Sequence, residues 1–425
     1  MTGAQHTMNP FPTHTLDNGL RIVAQPMKGV ESVALGFCVA TGARDETPDD
    51  AGVSHFIDGL AFQGTARRSV RALTEAFEDL GARHDASAGT ELFWYASHSL
   101  GRHLDQIVPL MAEVVREPLF DPDEAEKARD RHLQELAALE DEPMQKVLDV
   151  LQREFFAGHP CGNSTLGTVE SVRSLTPDRL RAYWHRSHHP GSVVVAAAGK
   201  LDFTQFVGMV EGCCGDWAPG SVQSRSAPPV YQPRVAVLHR ESNQEHIGIG
   251  ILGVPVGHPD YYAVSLLATI LGGSMNSRLF TEVREKRGLA YGVGAYPVAL
   301  SDAGMIRIYA GTVPQKAHET VSVTLDELRK LEAGGVREDE LVRAKTLVKS
   351  RLIMGGESTR VRRNTIGTSL WYEGFVRTLD ELRNLIEAVP AEQIQAAARR
   401  LEISSRFTLA AIGPCTAEEL LGNEH

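Results

Sequence analysis

The stretch Ala51–Thr65 (AGVSHFIDGLAFQGT) constrains this chain most, because it combines a helical pattern with the spacing of a catalytic motif. On a helix, His55 and Gly59 share a face as residues i and i+4, and Asp58 lies one turn from His55 on a neighbouring line. A motif of the form H-x-x-E-H places two imidazoles on one zinc ion, with the glutamate beside them as general base. Here the same positions read H-F-I-D-G.

Two chemical groups of that motif are therefore missing. Asp58 is one methylene shorter than a glutamate, so we expect its carboxylate to fall short of the water that a general base would polarise. Gly59 has no side chain and offers no metal ligand. We interpret the stretch as a zinc-peptidase helix that has lost its metal chemistry.

The residues around this motif resemble the family of pitrilysin, insulin-degrading enzyme and the mitochondrial processing peptidases. The family pattern is roughly G-x-A-H-F-x-E-H-x-x-F-x-G-T, and the matching residues are Gly52, His55, Phe56, Phe62, Gly64 and Thr65. Further matches follow in order along nearly the whole chain. The resemblance implies a third zinc ligand, a glutamate on a later helix, and the segment HLQELAALEDEP offers Glu135 in that place. His55 and Glu135 are thus the retained parts of a degenerate site.

A rearranged metal site stays open as an alternative. His132 lies three residues before Glu135, so both side chains project from one side of a predicted helix. Together with His55 they would form a set of two histidines and one carboxylate, with Asp58 as a poor base.

A strand pair follows the helix that Gly81 ends, with predicted strands at His84–Ala88 and Leu92–His98. In the family that this chain resembles, the first of these strands is the sheet edge to which the substrate peptide is added. Backbone hydrogen bonds then give affinity without demanding one sequence. The resemblance therefore implies a substrate strand made of His84, Asp85, Ala86, Ser87 and Ala88.

A second constellation lies in the segment SMNSRLFTEVREKRGLAYGVGAY, Ser274–Tyr296. The family carries an arginine and a tyrosine in the pattern R-x-x-x-x-x-x-Y, and Arg284 and Tyr291 match it. The resemblance implies that these two side chains hold the substrate backbone and stabilise charge on the carbonyl oxygen of a facing zinc centre. The alternative is that Arg284 forms a surface ion pair with Glu282 or Glu285.

The length of 425 residues predicts two or three domains. Residues 216–233 are rich in proline, serine and glycine and are predicted to link residues 1–215 to residues 234–425. The second half repeats the order of elements of the first. By resemblance the fold is α+β, with two homologous α/β sandwich domains, each a largely antiparallel mixed sheet with packed helices, forming half of a clamshell.

Several classes of protein are disfavoured by composition. The formal charge of −11 and the lack of basic runs argue against nucleic-acid binding. Five scattered cysteines without a C-x-x-C pair predict neither a disulfide framework nor a thiolate zinc site. The first residues do not form a signal peptide, and no apolar stretch is long enough to cross a bilayer. We expect a cytoplasmic protein.

The expected function is a subunit of a zinc metallopeptidase that is inactive alone. It would form half of a chamber and supply Arg284 and Tyr291 to a homologous zinc-bearing subunit, with peptides as substrates. No cofactor is expected in this chain, because the zinc would belong to the partner. Two alternatives remain: an active metalloendopeptidase using His55, His132 and Glu135, or a homodimer that binds peptides without chemistry.

Overall fold

The computed structural model of the protein describes residues 10–220 and 227–422. Its β-strands are β1 (Thr13–Thr15), β2 (Arg21–Pro26), β3 (Ser32–Val39), β4 (Arg83–Ala88), β5 (Phe93–Leu100), β6 (Val193–Gly199), β7 (Val235–His239), β8 (Glu245–Leu252), β9 (Ala290–Ala299), β10 (Gly304–Thr312) and β11 (Phe407–Gly413). The strands form two sheets, one in each of two compact units. The fold is the expected mixture of α and β structure.

The helices connect and cover these strands. They are α1 (Val53–Leu60), α2 (Val70–Glu78), α3 (Leu104–Arg116), α4 (Pro122–Asp141), α5 (Pro143–Phe155), α6 (Val169–Ser174), α7 (Pro177–Ser187), α8 (Phe203–Cys214), α9 (Tyr261–Gly272), α10 (Ala317–Gly334), α11 (Glu338–Gly355), α12 (Thr359–Glu373), α13 (Leu379–Glu387), α14 (Ala391–Arg400) and α15 (Ala417–Leu421). Within residues 10–220 and 227–422, no helix is long and apolar enough to span a membrane.

The sheet of the first unit has the strand order β1-β2-β6-β3-β5-β4. Its central strands β3 and β6 are almost fully buried, as their near-continuous apolar sequences SVALGFCV and VVVAAAG predict. β2 and β6 are parallel, and the other pairs are antiparallel. β4 lies at the edge of this sheet, where the sequence placed the candidate substrate strand.

The sheet of the second unit repeats this plan in the order β7-β11-β8-β10-β9. β7 and β11 are parallel, as β2 and β6 are, and the remaining pairs are antiparallel. β9, the counterpart of β4, again forms an edge. The predicted duplication of elements is therefore present at the level of sheet topology.

The two compact units do not follow the predicted continuous boundaries. They consist of Met1–Gln134, Thr165–Arg225 and Ile353–Thr378, and of Glu135–Ser164, Ser226–Leu352 and Leu379–His425. Ile366 and Leu370 of α12 pack with Val23 and Val194 of the first sheet. Similarly, α5 packs Val147, Val150 and Leu151 against Ala410 and Ile412 of the second sheet. A division at residues 1–215, 216–233 and 234–425 misses both helices, and residues 221–226 of the expected linker lie outside the described residues.

Candidate functional site

The degenerate motif lies on α1, whose first turn is held by a buried carboxylate. Glu46 accepts hydrogen bonds from the backbone amides of Gly52, at 2.7 Å, and Ser54, at 2.9 Å. These amides have no partner within the helix, so the acid supplies the cap that the start of a helix requires. Burial raises the pKa of Glu46 to about 7, and the hydrogen bonds from Ser54 and Gly52 partly offset that rise.

A buried hydroxyl chain fixes the same end of α1. The Ser54 hydroxyl lies 2.9 Å from the hydroxyl of Tyr183, which lies 2.7 Å from that of Thr41. Gly52 has a φ of 85°, and a Cβ there would come within 2.7 Å of the Leu166 carbonyl oxygen. The glycine of the motif is therefore required by a close backbone approach.

The polar side chains of α1 are directed towards protein groups. His55 Nδ1 lies 3.8 Å from Asp58 Oδ2, and Asp58 Oδ2 accepts a hydrogen bond from the Ala88 amide at 3.3 Å. The ring of His55 meets that of His132 edge to face, with 4.7 Å between centroids. The Gly59 carbonyl accepts a hydrogen bond from Arg131 at 3.1 Å.

His132, one member of the alternative metal set, is held inside the first unit. His132 is only 3% exposed, and its Nε2 donates to the Leu166 carbonyl at 2.9 Å. Glu135, three residues later on α4, is exposed. Among residues 10–220 and 227–422, no group of three or more His, Cys, Asp or Glu side chains is arranged to hold a metal ion.

The candidate substrate strand, β4, is open along one side. Its only strand partner in the first sheet is β5. His84 is stacked on Phe62, with 4.2 Å between centroids, and touches Phe77, while Arg83, Asp85 and Ser87 are exposed. Burial lowers the pKa of His84, opposed by the nearby Asp85 charge. This geometry is that of an edge able to accept an added strand.

Arg284 lies in a short π-helical turn, Phe280–Glu285, and its side chain is exposed. Its guanidinium lies over the Phe280 ring, 4.9 Å from the centroid. Glu282 binds Lys286 and Arg287 instead, each at 2.6 Å. Within the described part of the chain, Arg284 forms no ion pair, so the alternative of a surface pair with Glu282 or Glu285 is wrong.

Tyr291 stands near the start of the edge strand β9 and is 64% exposed. A tight turn leads to it, in which the Gly288 amide donates to the Arg284 carbonyl at 3.1 Å and the Leu289 amide to the Val283 carbonyl at 2.8 Å. Gly288 has a φ of 57°, which a residue with a side chain rarely adopts. The turn therefore presents two large exposed donors on a constrained backbone.

Comparison with known proteins identifies the family. The model for the insulinase family, peptidase family M16, matches residues 21–169, and the model for the peptidase M16 inactive domain matches residues 174–348. YmxG, an uncharacterized zinc protease of Bacillus subtilis strain 168, is 33% identical over 401 residues, which cover 94% of this chain and 98% of that protein. The chain belongs to peptidase family M16.

Other M16 relatives agree. An uncharacterized zinc protease of Streptomyces coelicolor is 32% identical over 418 residues, covering 96% of this chain and 91% of that protein. The crystal structure of a peptidase M16 inactive domain from Pseudomonas fluorescens has a TM-score of 0.88 and 23% identity, covering 96% and 99% of the two chains. That structure shows the shared fold. The chain is thus a short bacterial-type M16 protein resembling zinc proteases.

The M16 zinc site does not fit the residues of this chain. Gly59 places no donor where the second histidine would stand, and Asp58 is bonded to the Ala88 amide. The M16 helix itself is nevertheless kept, because Glu46, Ser54 and Tyr183 hold its first turn. This anchor was not predicted from the sequence, although an acid in the loop just before a helix is a known sign of capping.

Three buried charged residues were not predicted from the sequence either. Arg44 and Glu91 form an ion pair with side chains 1% exposed, and Tyr372 donates to Glu91 at 2.8 Å. Arg363 is buried on α12 against Trp94. The spacing of Arg363, Gly367 and Leu370 along one helix face is the signal that would have placed Arg363 inside.

Proposed function

We propose that this M16 chain is a non-catalytic subunit of a zinc metallopeptidase that cleaves peptides or small unfolded proteins. It supplies Arg284 and Tyr291 to the zinc site of a homologous partner, and the zinc is the partner's. The observation that carries the proposal is a contrast within one chain. Gly59 removes a metal ligand, whereas Arg284 and Tyr291 stay exposed and match the M16 pattern.

The donor set of α1 explains why this chain does not act alone. A zinc peptidase needs three protein ligands, an open position for water and a base that activates it. His55 and Glu135 supply two of those ligands, and Asp58 is a shortened base that already accepts a hydrogen bond from Ala88. Relatives described as zinc proteases support zinc-dependent proteolysis as the chemistry of the assembly. This subunit contributes to that chemistry through Arg284 and Tyr291.

Arg284 and Tyr291 act on the substrate. A guanidinium presents several N–H donors and a phenol presents one, so together they hold peptide carbonyls and stabilise negative charge on the oxygen of the bond under attack. The side chain of Arg284 is kept from folding onto Glu282 because Lys286 and Arg287 neutralise that acid. β4 adds backbone hydrogen bonds to an extended peptide.

Reconstitution with a zinc-bearing M16 partner tests this function. Arg284→Ala and Tyr291→Phe are each expected to lower turnover of an unstructured peptide by roughly one to three orders of magnitude, the scale of a lost oxyanion donor. Tyr296→Phe is the matched control and should leave turnover unchanged, since Tyr296 is 56% exposed on the same strand. Assembly, measured by size-exclusion chromatography, should be unchanged in all three variants.

The outcomes separate the alternatives. Wild-type turnover in both Arg284→Ala and Tyr291→Phe assemblies would overturn the proposal. Chelator-sensitive cleavage by the isolated chain, with stoichiometric zinc, would instead support the rearranged site of His55, His132 and Glu135. A homodimer that binds peptides but gives no turnover with any M16 partner would support the binding protein without chemistry.

A further inference from the structure

One face of the first sheet carries side chains in rows that run from its interior to the edge strand. The register pairs β4 with β5 and β5 with β3, so directly opposed residues share a face. The three rows are Arg83–His98–Ala34, Asp85–Ala96–Gly36 and Ser87–Trp94–Cys38. α12 covers this face, because Ile366 and Leu370 pack with Cys38 and Trp94.

Arg363 of α12 is a buried cation on this face. The residue is 5% exposed, and its guanidinium lies 5.0 Å from the Trp94 ring centroid. A Cβ on Gly36 would come within 2.5 Å of Arg363 Nη1, and a Cβ on Gly367 within 2.6 Å of the Trp94 ring. Both glycines are thus needed for the guanidinium to lie across the middle row, towards Asp85.

This cation is poorly satisfied by the protein. Among the described residues, Arg363 Nε has no hydrogen-bond partner, and Nη1 reaches the Leu35 carbonyl only at 3.5 Å. Burial lowers the pKa of Arg363 to about 10, and the Asp85 charge acts against that shift without forming an ion pair. A buried charge without a hydrogen-bonded partner is costly, so an anion from outside would relieve it.

Further positive groups surround the same spot. Arg360 on the first turn of α12 and Arg83 on β4 are both exposed, and within the described residues neither forms an ion pair. The Thr359 hydroxyl lies 3.3 Å from His98 Nε2. Arg83 is directly opposite His98 in the strand pair, and burial together with the charges of Arg360, Arg83 and Arg363 lowers the pKa of His98. In a chain with a formal charge of −11, the exposed Arg83 and Arg360 with the buried Arg363 behind them give this face a local positive charge.

The open edge of β4 indicates that the anion is a side chain of an extended peptide. The Ala88 amide points to Asp58 and hence away from β5, so alternate residues of β4 direct their amides outwards. A peptide added there places every second side chain on the face of Arg83, Arg360 and Arg363. Carboxylates bind guanidinium groups with charge-assisted, often paired hydrogen bonds.

We propose that β4 recognises extended peptides with acidic side chains at alternate positions, whose carboxylates are bound by the exposed Arg83 and Arg360 and attracted by the buried charge of Arg363. This inference rests on the proposed peptide-processing function and names a substrate class for it. The face selects charge spacing, because an acid shifted by one residue along the added strand would point to the opposite face, where His84 lies against Phe62.

Fluorescence anisotropy with the whole chain tests the inference. The probes are three labelled peptides of equal length with blocked termini: one with aspartate at alternate positions, one with asparagine there, and one with the same aspartates adjacent. The alternating acidic peptide should bind roughly tenfold or more tightly than the other two at about 0.15 M salt. Equal binding of the three peptides would overturn the inference.

The variants replace exposed arginines, because replacement of the buried Arg363 could unfold the protein. Arg360→Gln and Arg83→Gln should each weaken binding of the alternating acidic peptide by about threefold or more and leave the asparagine peptide unchanged. Arg383→Gln on α13, 51% exposed and paired only with Asp380, is the matched control and should change neither affinity. Equal losses for both peptides, or no binding by any peptide, would overturn the inference. The turnover test of Arg284 and Tyr291 would still decide the proposed function.

Discussion

The polar residues of α1 and those of the Phe280–Tyr291 turn are used in opposite ways. On α1, Asp58 is bonded to a backbone amide, His55 touches His132, and the first turn depends on Glu46. On the turn, Arg284 and Tyr291 are exposed, and the Arg284 guanidinium lies over the Phe280 ring. The first region uses its polar groups to hold the fold, whereas the second leaves them exposed.

This contrast explains how α1 keeps its helical structure although its motif positions carry Asp58 and Gly59. The buried anchor of α1, made by Glu46, Ser54 and Tyr183, does not involve positions 58 and 59. Substitution of the ligand and the base therefore leaves the helix in place. In the part of the chain that the structure describes, no comparable network holds the side chains of Arg284 and Tyr291, so packing there does not explain their identities.

Restoring the motif is the change with the largest expected effect. Asp58→Glu with Gly59→His should convert weak zinc binding into tight binding of about one ion per chain, a gain of several orders of magnitude. The helix has room, because a Cβ on Gly59 would lie 4.0 Å from the Ala128 Cβ, an ordinary contact. Elemental analysis after dialysis measures the metal.

The matched control is Asp58→Glu with Gly59→Ala, which changes the same positions without adding an imidazole. It should bind zinc no better than the wild type. Tight, stoichiometric zinc in the wild-type chain would contradict the view that α1 has lost its metal chemistry. A restored motif that stays metal-free would show that more than these two groups is missing.

The buried ion pair of Arg44, in the loop before α1, with Glu91 should contribute strongly to folding stability. Glu91→Gln removes the negative charge from the buried ion pair with Arg44, and we expect a loss of about 3–5 kcal/mol in the free energy of unfolding. Glu285→Gln, an exposed acid on the other region's turn, should change stability by less than about 0.5 kcal/mol. Urea denaturation compares the two, and equal effects would remove the distinction between the regions.

Glu46 should give α1 a characteristic dependence on pH. Its pKa is raised from 4.5 to about 7, so between those values the folded chain keeps a proton that the unfolded chain has lost. The contribution of Glu46 to the free energy of unfolding therefore falls as pH rises through this window, by at most about 3 kcal/mol. Glu46→Gln should remove that fall.

A buried histidine acts in the opposite direction and has to be separated from Glu46. Burial lowers the pKa of His188 from 6.5 to about 3, so its contribution to stability is lost as pH falls below 6.5. Urea denaturation of the wild type and of Glu46→Gln at about pH 5 and about pH 8 isolates the contribution of Glu46 to stability, since both proteins contain His188. The variant should gain stability relative to the wild type as pH rises, and a constant difference would refute the role of Glu46.

Local patterns predicted much of the fold and of the site. The predicted helix carrying His132 and Glu135 is α4, and the strands predicted after Gly81 are β4 and β5. The H-F-I-D-G string and the spacing of Arg284 and Tyr291 pointed to the two regions compared above. Each of these features is visible within a short stretch of sequence.

What sequence reasoning missed depends on contacts between distant segments. α5 was not predicted, although Val147, Val150, Leu151 and Phe155 form one helical face. No local pattern tells which sheet that face covers, so the exchange of α5 and α12 between the halves of the chain was missed as well. The position of Arg363 over Gly36 likewise exists only once α12 packs on β3.

The smallest expected effect is on stability in the exposed region. Tyr291 is 64% exposed, so Tyr291→Phe should change the free energy of unfolding by less than about 0.5 kcal/mol. Arg284→Ala removes a single cation–π contact with Phe280, which at an exposed site stabilises by about 0.5–1 kcal/mol. Urea denaturation of the isolated chain measures both.

A loss above about 2 kcal/mol in either variant would show that the pair holds the fold, as the polar groups of α1 do. Small losses beside a large fall in turnover with a zinc-bearing partner would mean that Arg284 and Tyr291 act on substrate, because only a group facing the reacting peptide changes turnover without changing stability.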